Sequence, residues 1–121
     1  MVVLKSLFKN GRWTPAELFY KVPDRNMTGS ALLTLKDGRM LHFQGIGDAG
    51  EWKDLALGMR ESTDGGWHWS STELIEPEHR VRHQVIAGPI VTKDGRMLLC
   101  CDAGPDGEAG CSPPCTLRCR H

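Results

Sequence analysis

The hexapeptide KDGRML occurs twice in this chain of 121 residues, at Lys36–Leu41 and again, letter for letter, at Lys93–Leu98. An apolar, β-prone run precedes each copy, SALLTL before the first and QVIAGPIVT before the second, and a shorter apolar stretch follows. Asp-Gly between two such runs is a strong hairpin signal, because glycine adopts the positive φ of a tight turn without steric cost. Each copy therefore predicts a strand, a tight turn and a second strand, repeated after 57 residues.

A third hairpin is predicted between the two copies, where apolar residues alternate before the sequence TDGG and a second β-prone run follows it. The predicted strands are Ser30–Leu35, Arg39–Phe43, Asp54–Ser62 and Trp67–Ile75 in a first unit, and Gln84–Thr92 and Arg96–Cys101 in a second. Only Thr14–Val22 is compatible with a turn or two of helix.

These elements predict an all-β fold. Four-stranded antiparallel units that recur roughly every 40 to 60 residues are typical of β-propeller blades, and the chain holds about one and a half of them. We divide it into an N-terminal segment (1–29), a first blade (30–75), a partial second blade (76–110) and a Cys/Pro-rich tail (111–121). Because a closed ring needs about four blades or more, the chain is expected to be part of a larger protein.

Charge and hydropathy exclude several classes of partner. Fifteen Lys and Arg residues balance fifteen Asp and Glu residues, so the formal net charge is zero. We therefore expect no nucleic acid and no membrane partner reached through bulk electrostatics. No apolar run approaches the roughly 20 residues of a membrane span. The first residues also lack the apolar core of a signal peptide, and we expect a cytoplasmic protein.

Two segments of the sequence contain residue types that ligate metals. The five cysteines are Cys100, Cys101, Cys111, Cys115 and Cys119. Their number is odd, and the spacing of the last three matches neither the usual zinc pairs nor an iron–sulfur run. Glu78, His79 and His83 lie close in sequence, but Pro77 disfavours the helix that would place both imidazoles together. We therefore expect no metal and no cofactor, and keep a thiol or metal-binding role for the tail as a third hypothesis.

The stretch STDGGWHW, residues 62–69, could be either a catalytic site or a turn that joins two strands. The Asp64 carboxylate can accept backbone N–H groups across a turn, and the two glycines after it allow left-handed conformations. The pattern of Ser62, Asp64, Gly66 and Trp69 resembles the Asp-box, or BNR repeat, of sialidases and related propellers, with His68 where the family has threonine. Sequence resembling bacterial sialidase-like BNR proteins extends from about Trp13 to Gly110. We interpret this stretch as a structural turn.

The strands of a four-stranded blade end at two opposite sides of the sheet, which we call its edges. The two tight turns lie at one of these edges, and the remaining loops lie at the other. That second edge is predicted to collect four polar loops, at residues 23–29, 44–54, 76–84 and 101–110. Polar loops carried on a rigid sheet are where sites usually form. The candidate site residues are Asp48, as a catalytic group, and Arg82, His83 and Asp102, as substrate-binding groups. The alternative is that they are solvated loop residues.

The resemblance implies a six-bladed, carbohydrate-related propeller that binds glycan or cleaves glycosides. Sialidases of this kind use three arginines, an Asp acid/base and a Tyr–Glu nucleophile pair. Here the segments 28–30 and 45–47 stand where two of the arginines would be, and neither contains one. The single tyrosine, Tyr20, precedes the first blade and so does not match the nucleophile. Asp48 lies near the position of the acid/base. We therefore expect the chain alone to be inactive on sialic acid.

The sequence CSPPCTLRCRH at 111–121 does not resemble the family. One hypothesis is that a frameshift truncated a longer gene, which reading the other two frames beyond residue 110 would test. A hypothesis of a different class is a non-catalytic β-sheet module that binds glycan or self-associates through its exposed outer strands. Mass in solution separates the two hypotheses.

Overall fold

The computed structural model describes residues 1–50, 54–81, 84–101 and 115–118. These ranges contain strands and turns without helix, so the predicted all-β class is confirmed. The strands are β1 (Val3–Lys5), β2 (Phe8–Lys9), β3 (Arg12–Trp13), β4 (Glu17–Tyr20), β5 (Arg25–Thr34), β6 (Met40–Asp48), β7 (Asp54–Ser62), β8 (Glu73–Val81), β9 (Ile90–Val91), β10 (Arg96–Leu99) and β11 (Cys115–Arg118). None of the described residues forms a helix that could cross a bilayer.

Strands β5 to β8 form one antiparallel sheet in chain order, as expected when consecutive strands are joined by short connections. Two boundaries differ from the prediction. β5 begins at Arg25 and β6 continues to Asp48, so much of the loops predicted at 23–29 and 44–54 is strand. The glycine-rich run after Phe43 has little strand propensity, but Ile46 finds ladder partners on both sides, in Met27 and Ala56. Pairing with two neighbours overrides the weak local preference.

The fourth strand of this sheet begins at Glu73 rather than at the predicted Trp67. The backbone N–H groups of Trp67 and His68 donate to the Asp64 carboxylate and are therefore unavailable to a ladder. Residues 63–72 form a longer loop, in which the Ser70 N–H returns to the Glu61 carbonyl at 2.8 Å.

The N-terminal segment is a β-arm, and the prediction of helix at 14–22 is wrong. β1 pairs with β4, so that Leu4 lies opposite Leu18, and β2 pairs with β3 in a hairpin between them. The Leu7 N–H donates to the Thr14 hydroxyl at 2.8 Å, which joins the two halves of the arm. Cross-strand partners rather than helical periodicity decide this segment.

The two KDGRML copies adopt the same local structure. The Leu35 N–H donates to the Arg39 carbonyl at 2.8 Å, and Thr92 donates to Arg96 at the same distance 57 residues later. β10 lies between β9 and β11 in a three-stranded sheet, and β9 is only two residues long, shorter than the predicted strand Gln84–Thr92. We call β5–β8 the first unit and residues 84–101, which include β9 and β10, the second unit.

The two units share one hydrophobic core. Its buried members are Ala31, Leu41, Phe43, Leu57, Val85, Met97 and Leu99. Offset by 57 residues, Leu99 corresponds to His42, which points to the opposite face of the first sheet from its neighbour Leu41. One face of the first unit therefore packs against the opposite face of the second, a head-to-tail arrangement.

Candidate functional site

The two edges of the first sheet carry different chemistry. At one edge Asp48 ends β6 and is ion-paired with Arg25 at the start of β5. β7 begins and β8 ends at the same edge, where Asp54 pairs with Val81. The Asp48 side chain is 68% exposed. This position therefore supplies a solvated carboxylate beside a cation.

Of the other predicted site residues, Arg82, His83 and Asp102 lie outside the described residues. The structure therefore gives the position of one member of the predicted group, Asp48, and its catalytic role stays a prediction. The candidate metal ligands Glu78, His79 and His83 also lie outside the residues whose side chains are described. Where side chains are described, no three His, Cys, Asp or Glu residues are close enough to hold a metal ion.

The opposite edge carries the turns. Asp37 accepts hydrogen bonds from the backbone and the guanidinium of Arg39, which lower the pKa of its carboxyl group. In the second copy Asp94 accepts a hydrogen bond from the Arg96 guanidinium, with Nε–Oδ2 at 2.7 Å, whereas the Arg96 backbone N–H donates to the Thr92 hydroxyl at 3.1 Å. These carboxylates stabilise the turns that connect their strands.

The turn at 62–69 is built around one carboxylate. Oδ1 of Asp64 accepts the Trp67 N–H at 3.1 Å, the His68 N–H at 2.9 Å and the Ser62 hydroxyl at 2.9 Å. Its Oδ2 lies 2.5 Å from Nδ1 of His68, the residue at the threonine position of the Asp-box pattern. The hydrogen bonds from His68 and Ser62 lower the pKa of Asp64 far below its usual value. An acid held so firmly in its ionised form cannot serve as a proton donor near neutral pH.

Trp69 connects this turn with the N-terminal arm. Its indole N–H donates to the Gly66 carbonyl at 3.0 Å, and its ring meets Phe19 edge-on at 5.2 Å between centroids. A cleft of about 510 Å³ lies beside it, lined by Met59, Glu61, Thr63, His68, Ser70, Ser71 and Glu73 as well as Trp69 itself. The Trp69 ring therefore both packs against the arm and forms part of the wall of this cleft.

A buried histidine–arginine cluster, which sequence reasoning missed, lies between the sheet and the arm. Arg60 lies over the ring of Tyr20 at 3.9 Å and that of Phe19 at 4.7 Å. Its Nη2 lies 3.1 Å from Nδ1 of His42, which is 1% exposed. Burial and the adjacent guanidinium lower the pKa of His42 to about 4. The available signal was the repeat itself, because His42 stands where the second copy has Leu99.

The cluster contains a Ser–His pair that is wrongly polarised for nucleophilic catalysis. Ser30 Oγ lies 2.7 Å from Nε2 of His42. A catalytic histidine accepts the serine proton at one nitrogen while a carboxylate fixes the proton on the other. Here Arg60 donates to Nδ1, so the neutral ring carries its proton on Nε2 and donates it to Ser30. We assign the cluster to holding the arm against the sheet.

No protein-family model matches the chain, and no curated protein is significantly similar to it.

Proposed function

We propose that this chain is a segment of a sialidase-like, carbohydrate-related six-bladed propeller, in which residues 30–75 form the first blade. The observation that carries the proposal is the head-to-tail packing of the two KDGRML units, whose turns have the same backbone hydrogen bonds. A face that packs on the opposite face of its successor is the arrangement a ring of blades requires. The Asp64-centred turn supports the same assignment.

The edge of the sheet that carries Asp48 is the proposed glycan-facing edge. The opposite edge is occupied by turns whose carboxylates, Asp37 and Asp64, are engaged in local hydrogen bonds. Asp48 instead ends a strand, remains exposed and has a cation beside it, Arg25. A carboxylate with an adjacent guanidinium suits the hydroxyl and carboxylate groups of an acidic sugar.

The chain alone is proposed to bind glycan weakly and to leave sialosides uncleaved. A propeller active site is assembled from groups on several blades, and the rate depends on their placement. The single tyrosine, Tyr20, is buried against Arg60 and bonded to the Thr72 hydroxyl, so it cannot act as the nucleophile. Asp48 without that partner supplies at most an acid.

The test combines an activity assay with a titration. With an aryl sialoside we expect no product above background. In an NMR titration with a sialylated oligosaccharide we expect millimolar binding, with shifted amides near Asp48, and Asp48→Asn should weaken it severalfold. Asp37→Asn, the matched change at the turn edge, should leave binding unchanged. Shifts confined to the turns, or turnover that disappears in Asp48→Asn, would contradict the proposal.

A second candidate is a non-catalytic module that self-associates. The favouring observation is that Ile90, equivalent to the partly buried Leu33 of the first unit, is 60% exposed. A second copy would cover it. Light scattering should then give a defined oligomer that Ile90→Glu converts to a monomer, whereas Thr34→Glu, an exposed position in the first sheet, should not. A monomeric parent protein would exclude this candidate.

A further inference from the structure

The hairpin at the end of the N-terminal arm is amphipathic and fully exposed. Every residue from Phe8 to Trp13 is exposed, including two aromatic rings at 60% and 70%. These rings form a cross-strand pair with centroids 5.2 Å apart. Lys9 and Arg12 form the next pair, and because side chains alternate across a strand, they project from the opposite face.

Positive charge is concentrated in this part of the chain although the whole chain is neutral. Residues 1–25 carry five cationic side chains and two acidic ones, a net charge of +3, which the remaining residues balance. The cationic residues are Lys5, Lys9, Arg12, Lys21 and Arg25. The zero net charge of the whole chain therefore does not describe the local charge of this arm.

We propose that the Phe8–Trp13 hairpin is a docking element for a lipid surface that carries anionic headgroups. Tryptophan and phenylalanine partition into the interface of a bilayer, where an apolar ring is buried at headgroup depth. Lysine and arginine of the same hairpin are attracted by the negative surface potential of anionic lipids. Neither signal alone gives stable attachment, but this hairpin combines both within six residues.

The hairpin also has the anchorage that such an element needs. The Lys9 ammonium lies 5.0 Å from the centre of the Trp67 ring, on the loop after β7. Trp67 is itself 61% exposed, so a third exposed aromatic side chain lies beside the hairpin. An acidic protein could also meet the cations, but it would leave two adjacent exposed rings without a partner, which favours the lipid surface.

The experiment is sedimentation of the full chain with phosphatidylcholine vesicles, with and without a quarter of phosphatidylserine. We expect binding only to the anionic vesicles, weakened by salt. Phe8→Ser with Trp13→Ser should reduce the partition coefficient about tenfold or more, and Lys9→Gln with Arg12→Gln should do the same. All four residues are exposed, so circular dichroism should show an unchanged fold.

Matched controls place the same changes elsewhere. Ile90→Ser removes an equally exposed apolar side chain, and Lys36→Gln with Lys93→Gln removes two exposed charges from the turns. Both should leave binding unchanged. The proposal is wrong if anionic vesicles do not sediment the protein, if the controls weaken binding equally, or if the protein binds polyglutamate and not the vesicles. The last result would assign the hairpin to an acidic protein partner.

Discussion

Both carboxylate oxygens of Asp64 accept hydrogen bonds within its own turn, and the His68 side chain provides one of them. Threonine at that position would offer a hydroxyl, whereas the imidazole places Nδ1 at 2.5 Å from Oδ2. For the N–H groups of Trp67 and His68 to reach the same carboxylate, the chain must turn through Gly65 and Gly66, whose φ angles are 78° and 91°. The departure from the Asp-box pattern therefore adds a partner to the carboxylate.

Replacing Asp64 should destabilise the fold. Asp64→Ala leaves the N–H groups of Trp67 and His68 and the Ser62 hydroxyl without their acceptor. We expect the melting temperature of Asp64→Ala to fall by a few degrees. The melting temperature of Asp64→Asn, which keeps one oxygen acceptor, should fall by less. Thermal unfolding followed by circular dichroism measures this. Equal melting of Asp64→Ala and the parent protein would show that the turn does not depend on the carboxylate.

His42 should make stability depend on pH between 7 and 4.5. Its pKa is about 4 in the folded protein against 6.5 for the free side chain, so the unfolded chain binds more protons within this window. Lowering the pH therefore favours unfolding, by about 2.5 kcal/mol at pH 4.5. Urea denaturation at several pH values measures the loss.

The matched variant for this prediction is His42→Leu, which places at this position the residue of the second copy, Leu99. It should lose most of the pH dependence above 4.5. Asp64 and Asp94 have lowered pKa values and contribute stability that is lost only at lower pH, as the pH falls below their unfolded values. An unchanged slope in His42→Leu would exclude His42 as the titrating group.

At the scale of elements, the arm and the first sheet depend on each other. Phe19 and Tyr20 of β4 cover a sheet face on which Arg60 and His42 would otherwise be solvated. The guanidinium retains favourable contacts because the aromatic rings attract a cation as well as bury it. β4 is thus the element that converts a polar face into an interior.

A single glycine controls how the first sheet meets the second unit. Gly29 has φ of 67°, lies at the bulge of β5 and forms a parallel bridge with Val85. A Cβ there would lie 2.7 Å from Val85 N and closer still to its carbonyl oxygen. Backbone atoms cannot give way as a flexible side chain can, so the two units would have to separate.

Gly29→Ala should therefore cost about 3 kcal/mol or more in the free energy of unfolding. Gly38→Ala is the matched control, because Gly38 also has positive φ but nothing lies within 4 Å of the added Cβ. It should cost about 1 kcal/mol, from backbone strain alone. Chemical denaturation measures both variants, and similar costs would show that contact with Val85 is unimportant.

At the scale of the molecule, the shared core predicts that both units unfold together. Leu99 is fully buried among residues of the first unit, whereas its neighbour Leu98 is only half-buried. Leu99→Ala should cost about 2–5 kcal/mol and Leu98→Ala about 1 kcal/mol. We expect one cooperative transition for both variants. Separate transitions in Leu99→Ala would show that the units are energetically independent.

Features that depend on a few adjacent residues follow from the amino-acid sequence alone. Asp-Gly at 37–38 and 94–95 specified two equivalent turns, and Ser62, Asp64 and Gly66 specified the third, because turn conformation follows from local φ preferences and hydrogen bonds. The order of the four-stranded sheet followed from the short connections between its strands.

The extent of β6, the strand at β4 and the burial of His42 depend on tertiary contacts. Residues 44–48 form strand because β5 and β7 supply ladder partners on both sides. The sequence QGIGD itself does not indicate a strand. His42 becomes an interior residue because Phe19 and Tyr20 return from more than twenty positions earlier in the chain. Burial and pairing depend on which distant segments meet, and local patterns carry little information about that.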